Sequence, residues 1–154
     1  MKTTLSPQTY RRTWPCRNVT KHDVALLGAL MLEAYRGTID YEGETLEEAQ
    51  AQAQREIDGK YGPLLHDCSF VCEIDGMARG AIMISRWHDV PLVTDIMVHP
   101  GMKNQGLGAF LLQKSMNALL ELGETELSLY VTDGNTNAQH VYAKLGFEVV
   151  QSYD

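Results

Sequence analysis

Hydrophobic and polar positions follow two different periods along the chain, and the switches between them mark the predicted elements. Val24, Leu27, Met31 and Ala34 recur at helical spacing. Thr20-Lys21-His22-Asp23 ahead of them is a capping box, in which Thr20 and Asp23 satisfy free backbone N–H groups, and Gly37 permits the left-handed turn that closes a helix. After a loop from Thr38 to Glu44, Thr45-Leu46-Glu47-Glu48 forms a second capping box. Leu46, Ala49, Ala53 and Ile57 then trace one narrow apolar stripe as far as Gly59, which predicts a helix lying on the surface.

The texture changes to that of strands at Phe70-Val71-Cys72-Glu73-Ile74 and again at Ala81-Ile82-Met83-Ile84. Asp75-Gly76 between them predicts a hairpin, because both residues adopt positive φ readily. A strand from Leu92 to Val98 is stopped at His99-Pro100-Gly101, since proline lacks a ladder donor. Leu107, Phe110, Leu111, Met116, Leu119 and Leu120 define the broadest helical face, closed by Leu122-Gly123. Glu126 to Val131 alternates as a strand, and Asp133-Gly134 turns. Ala138, Val141, Tyr142 and Leu145 then form a last helix before Gly146, and Phe147 to Val150 reads as a closing strand.

With a short strand from Trp14 to Val19, the order is βααβββαβαβ. That order places the chain in the α/β (α+β) class, a mixed sheet with helices packed on it. The 154 residues suit one domain, expected over residues 13–154. Residues 1–12 show no periodicity and are expected to form a flexible N-terminal arm, disordered or packed on a neighbour.

Composition narrows the function. A formal charge of −7 disfavours a nucleic-acid partner, because phosphate backbones are bound by clustered Lys and Arg. The longest apolar run falls far short of the ~20 residues of a membrane helix, and no apolar leader follows Met1, so a cytoplasmic location is expected. Cys16, Cys68 and Cys72 cannot all pair with one another and are read as reduced thiols; no metal is expected.

The chemistry concentrates where a strand end feeds a helix start, at Val98-His99-Pro100-Gly101-Met102-Lys103-Asn104-Gln105-Gly106-Leu107-Gly108-Ala109. Unpaired N–H groups at a helix N-terminus favour an anion such as pyrophosphate, and Gly106 and Gly108 let it approach the backbone. A Walker loop would need Lys followed by Ser or Thr after its last glycine. A dinucleotide fingerprint would need a small residue where Leu111 stands. On spacing alone, an ordinary turn with packing glycines competes with a phosphate site.

Lys103-Asn104-Gln105-Gly106-Leu107-Gly108 resembles the Arg/Gln-x-x-Gly-x-Gly/Ala signature of the GNAT superfamily of N-acetyltransferases, with Lys103 where Arg or Gln is commoner. Val131-Thr132-Asp133-Gly134-Asn135 followed by Ala138, Tyr142, Gly146 and Phe147 resembles that superfamily's second hallmark. The resemblance implies a mostly antiparallel, splayed sheet and acetyl-CoA as acetyl donor. Backbone groups of Met97 and Val98 would meet the pantetheine arm, and N–H groups of Lys103, Asn104, Gln105, Gly106, Leu107, Gly108 and Ala109 would take the pyrophosphate. Asn135 would contact the cofactor.

Transfer of an acetyl group to an amine needs a proton acceptor for the amine and a proton donor for the departing thiolate. Tyr142 is the candidate acid, since a phenol of pKa ~10 can protonate a thiolate; a core tyrosine on an apolar helix face is the competing reading, and the resemblance favours the acid. Asp95 is the candidate base, Glu73 the second choice, and a structural acceptor or a water relay the alternatives. Strand alternation puts Thr94, Ile96 and Val98 on one face and Asp95, Met97 and His99 on the other, so a bulge near Asp95 decides which side it serves. Tyr35, Asp40, Tyr41, Glu42 and Glu44 would suit a cationic amine of a small molecule or peptide, against a plain solvated acidic loop. Trp87-His88-Asp89 is a further acceptor-side candidate. Exposed sheet edges are compatible with a homodimer, and a non-catalytic acyl-CoA sensor is the rival to an enzyme.

Overall fold

A computed structural model describes residues 1–38, 41–131 and 135–150. In chain order the elements are β1 (Lys2–Thr4), β2 (Arg17–Asn18), α1 (Val24–Tyr35), α2 (Leu46–Ile57), β3 (Phe70–Ile74), β4 (Met77–Trp87), β5 (Val90–Val98), α3 (Leu107–Glu121), β6 (Glu126–Leu129) and α4 (Thr136–Lys144). Both capping boxes form as predicted: Thr20 with Asp23 ahead of α1, and Thr45 with Glu48 at the start of α2. The strands make one sheet in the order β1-β6-β5-β4-β3-β2, antiparallel except where β5 meets β6. A mostly antiparallel mixed sheet flanked by helices is therefore the observed class.

The alternation along β4 divides the core. Ile82 and Ile84 face α3, where they pack with Leu107, Phe110, Leu111 and Met116; Ala81 and Met83 face α1 and α2 with Leu27, Met31 and Ala53. Helices α1 and α2 lie very close. A Cβ on Gly28 would fall 2.7 Å from Gln50 Cα and 2.8 Å from its backbone N, so only glycine fits.

Three expectations are corrected. The first dozen residues are not a free arm: β1 pairs with β6, Leu5 is buried, Gln8 N–H donates to Asn117 Oδ1 at 2.8 Å, and Tyr10 meets Phe110 edge-on at 5.0 Å. The closing strand does not form; Glu148 makes a single bridge to Lys2, and β1 takes the sheet edge instead. The strand expected over Trp14 to Val19 shortens to Arg17–Asn18. Each of these depends on a partner more than a hundred or about fifty residues away, which local periodicity does not record. The expected turn at Asp133-Gly134 lies outside the described residues.

Candidate active site

Between β5 and α3 the chain is steered by two left-handed residues, Asn104 (φ 63) and Gly106 (φ 88). Gly106 is the N-cap of α3 and offers no capping side chain; Phe110 N–H donates to Gly106 O at 3.0 Å, closing the first helical turn. The N–H groups of Leu107, Gly108 and Ala109 precede that bond and are left for an anion. Leu107 is buried, so only its backbone is available. A Cβ on Gly108 would touch only Val98 Cγ2, at 3.5 Å, so glycine here relieves no clash within the protein and keeps the space above the loop open.

That space is a groove of about 250 Å³ lined by Lys103, Gly108, Met97, Val98, Asn135 and Tyr142 among others. On the other side of the loop, Asn104, Gln105, Gly106 and Ala109 border a cavity of about 600 Å³ that also carries Arg11, Arg12 and Lys144. In a chain of net charge −7 this grouping of cations beside free helix N–H groups fits the phosphorylated end of coenzyme A, and the groove fits its pantetheine arm.

The groove leads into a gap in the sheet. β5 and β6 pair at Leu92–Ser128 and Val93–Leu129 and then part. His99 N–H donates to Arg79 O at 2.8 Å. Ladder alternation therefore turns Met97 toward β4 as well and aims the N–H and C=O of Ile96 and Val98 into the gap. Of the two backbones expected to meet a pantetheine arm, that of Val98 is turned into the gap and that of Met97 toward β4, and both residues line the groove. Tyr142, on α4, is half-buried with its ring 6.0 Å from Phe147, and lines both groove and gap. The Asn135 side chain accepts from Ala138 N–H at 3.3 Å, capping α4 at the same edge.

The bulge on which Asp95 depends is present. Met83 pairs with Asp95 but Ile84 pairs with Val93, so Thr94 is an extra residue in β5, and its hydroxyl donates to Met83 O at 3.2 Å. Val93 consequently packs toward α3, whereas Asp95 turns toward α1 and α2. There Tyr35 Oη donates to Asp95 Oδ1 at 2.6 Å. Both line a cavity of about 470 Å³ between the two helices and β5, together with Tyr41, Glu42, Glu44, Glu48, Glu56 and Tyr61. Burial raises the Asp95 carboxyl above its usual range, against the hydrogen bonds from Glu56 and Tyr35, which act to lower it. Burial and then the Asp95 charge raise the Tyr35 phenol.

Glu56 was not singled out in the sequence. It stands on the inner face of α2 with Ala49 and Ala53, is 1% exposed, and meets the Asp95 carboxyl. Neither of its oxygens receives a hydrogen bond from an N–H or O–H donor among the described residues, so the contact between the two acids requires one of them to be protonated. Burial first, and the neighbouring Asp95 second, push Glu56 up to about 11. The spacing Ala49, Ala53, Glu56 is the signal that was available: a glutamate at a core-facing helical position.

Other candidates are placed elsewhere. Glu73 is held by Arg17 at 3.1 Å in a surface network with Asp23 and lines none of these cavities. His99 Nδ1 accepts from Gly101 N–H at 3.0 Å, fixing the turn after β5. His88 and Asp89, both at positive φ, are the hairpin turn between β4 and β5, and with Trp87 they stand apart from the acidic cavity. Asp40 lies outside the described residues. Burial pushes Cys16 up to about 12 and Cys68 up to about 11, so neither thiol supplies a thiolate nucleophile near neutral pH. Among the described residues no helix is long and apolar enough to cross a membrane.

A sheet that opens beside an uncapped helix N-terminus, with cations by the loop and a tyrosine at the opening, offers the donors and the space that an acyl-coenzyme A requires. The chain belongs to the Acetyltransferase (GNAT) family, whose family model matches residues 29–147. It is 28% identical over 148 residues to an uncharacterized N-acetyltransferase, MJ1207, of Methanocaldococcus jannaschii, an alignment covering 89% of this chain and 62% of that protein. The fold is shared with PaiA N-acetyltransferase from Thermoplasma acidophilum, solved with coenzyme A, at TM-score 0.72 and 19% identity over 92% of this chain and 94% of that one. It is shared also with AAC(6')-Iy bound to a bisubstrate analog, CoA-S-monomethyl-acetylneamine, at TM-score 0.67 and 21% identity over 91% and 94% of the two chains. The chain thus carries a GNAT acetyltransferase domain, and it spans less than two thirds of the length of the MJ1207 protein.

Proposed function

We propose that this protein transfers acetyl from acetyl-CoA to a primary amine of a small molecule or peptide, by direct attack in a ternary complex in the cytoplasm. The observation that carries this reading is the meeting of two spaces at one pair of side chains. Tyr35 and Asp95 line both the acidic cavity and the gap in the sheet, and Tyr142 joins that gap to the groove above Lys103 and Gly108. An amine in the cavity and a thioester in the gap are held on either side of Asp95.

When bound, acetyl-CoA supplies an activated acyl group on a good leaving sulfur. The N–H groups of Leu107, Gly108 and Ala109, with Lys103, hold its pyrophosphate. The N–H groups of Ile96 and Val98 point into the gap, where a donor polarises an acyl carbonyl. Asp95, its carboxyl raised by burial, takes a proton from the acceptor ammonium so that the nitrogen lone pair is free to attack. Tyr142 would protonate the departing sulfur and recover a proton from the new amide nitrogen, and Asp95 would pass the proton it took from the ammonium to solvent.

Two measurements test this. Acetyl-CoA should raise the melting temperature, as a ligand bound only by the folded state must. Release of free thiol should then depend on added amine across a panel of amines. Stabilisation without amine-dependent thiol release would make the protein a non-catalytic acyl-CoA sensor. Absence of both would remove the coenzyme site itself.

A further inference from the structure

The cavity between α1, α2 and β5 is charged in one direction. Five carboxyl groups line it, Glu42, Glu44, Glu48, Glu56 and Asp95, against one guanidinium, Arg55, which donates to Gln52 Oε1 at 2.8 Å. Among the described residues none of the five is in an ion pair. They divide into two ends. Glu56 and Asp95 lie at the floor beside the gap in the sheet; Glu42, Glu44 and Glu48 form the rim contributed by the loop before α2 and its first turn.

Two of the three rim carboxylates are held in place by backbone. Glu44 Oε2 accepts from Glu42 N–H at 3.0 Å, and Glu48 Oε1 accepts from Thr45 N–H at 3.0 Å. Each keeps its second oxygen for another donor. The floor is the reverse case: Glu56 is 1% exposed, lines the cavity, and neither of its oxygens has a donor among the described residues. Its polar contact is with the Asp95 carboxyl, and a buried acid paired only with another acid keeps an oxygen that a ligand can complete.

We propose that this cavity is a two-ended cation site, in which Glu56 and Asp95 seat the ammonium that is acetylated while the Glu42, Glu44 and Glu48 rim holds a second cationic centre. The acceptor is then a flexible di- or polyamine-like cation rather than a monoamine. The identity of the reacting end rests on the acetyltransferase reading; the two-ended site does not. A volume of about 470 Å³ is on the scale of a small-molecule pocket, and Tyr35, Tyr41 and Tyr61 supply aromatic walls for alkyl segments between the charges. Seating a cation also resolves the contact between the two acids. When the site holds no cation the two acids share a proton, which burial favours on Glu56. The groups that face it are Asp95 on β5 and Tyr35 on α1, with Arg55 and Lys60 on its own helix and the turn after it. An arriving ammonium favours the ionised carboxylate, so Glu56 releases its proton to solvent as the amine binds.

Isothermal titration of the full chain saturated with coenzyme A tests the proposal, with 1,4-diaminobutane, spermidine and the monoamine n-butylamine as probes. The diamine should bind about tenfold or more tightly than the monoamine, the scale of one added charge-assisted hydrogen bond. Its heat should differ between phosphate and Tris buffers in the sense of proton release. E44Q/E48Q should bring the ratio of diamine to monoamine affinity toward one, and Glu56→Gln should reduce the buffer dependence, leaving only what Asp95 contributes. Equal affinity for diamine and monoamine in the parent protein overturns the two-ended site, whatever the enzyme acetylates. Tighter diamine binding with no amine-dependent thiol release keeps the site and removes the transferase reading instead.

Discussion

The buried acid on α2 makes a prediction about stability that is independent of catalysis. Glu56 is 1% exposed and its carboxyl is pushed up to about 11, chiefly by burial. In the unfolded chain the same group titrates near ~4.3. Between those values the folded state holds a proton that the unfolded state has released, so stability must fall as pH rises. The slope for one such proton is about 1.4 kcal/mol per pH unit. From about pH 5.5 to about pH 7.5 the parent should therefore lose at most about 3 kcal/mol from this group, a large share of a total of roughly 5–15 kcal/mol. Glu56→Gln keeps the volume and places an amide donor against Asp95 while removing the titration. Urea unfolding of both proteins at intervals across that range should show the variant gaining on the parent by about 3 kcal/mol between the two ends. Asp95, itself raised by burial, continues to titrate in the variant, so its curve is flatter than the parent's without being level. Parallel stability curves for variant and parent would mean that Glu56 is already ionised in the fold, and the shared-proton contact with Asp95 would have to be abandoned.

Tyr142→Phe should lower turnover by about a hundredfold or more with little change in the affinity for coenzyme A, because it removes a proton donor and not a cofactor contact; equal rates would exclude Tyr142 as the acid. Gly108→Leu should weaken coenzyme A binding by about tenfold or more, read by calorimetry, since its side chain would fill the groove that glycine leaves open. The same variant should melt close to the parent, and unaltered affinity would show the loop to be a turn without a ligand. Gly28→Ala should destabilise the fold by about 1–3 kcal/mol in urea, because its Cβ would fall 2.7 Å from the Gln50 backbone; an unchanged midpoint would mean that α1 and α2 separate freely.

By itself the sequence determined the elements whose causes are local: both capping boxes, the Asp75-Gly76 hairpin, and the long amphipathic α3 that follows a glycine N-cap. The glycine-bearing loop that enters α3 and the place of Tyr142 on α4 were legible for the same reason, since a helix start and a residue spacing are properties of adjacent positions. Tertiary structure alone decided what depends on distant partners. The pairing of β1 with β6 turned a featureless N-terminus into a sheet edge and carried Arg11 and Arg12 to the cavity beside the loop that enters α3. One extra residue at Thr94 turned Asp95 toward Tyr35, an alternative that strand alternation left open. Glu56 was masked because a glutamate on a surface helix is ordinarily solvated. Only the close approach of α1 and α2, which Gly28 permits, and the proximity of β5 make it a buried acid. Periodicity reports which side of an element is apolar, whereas the protonation and partner of a side chain are set by what the fold brings against it.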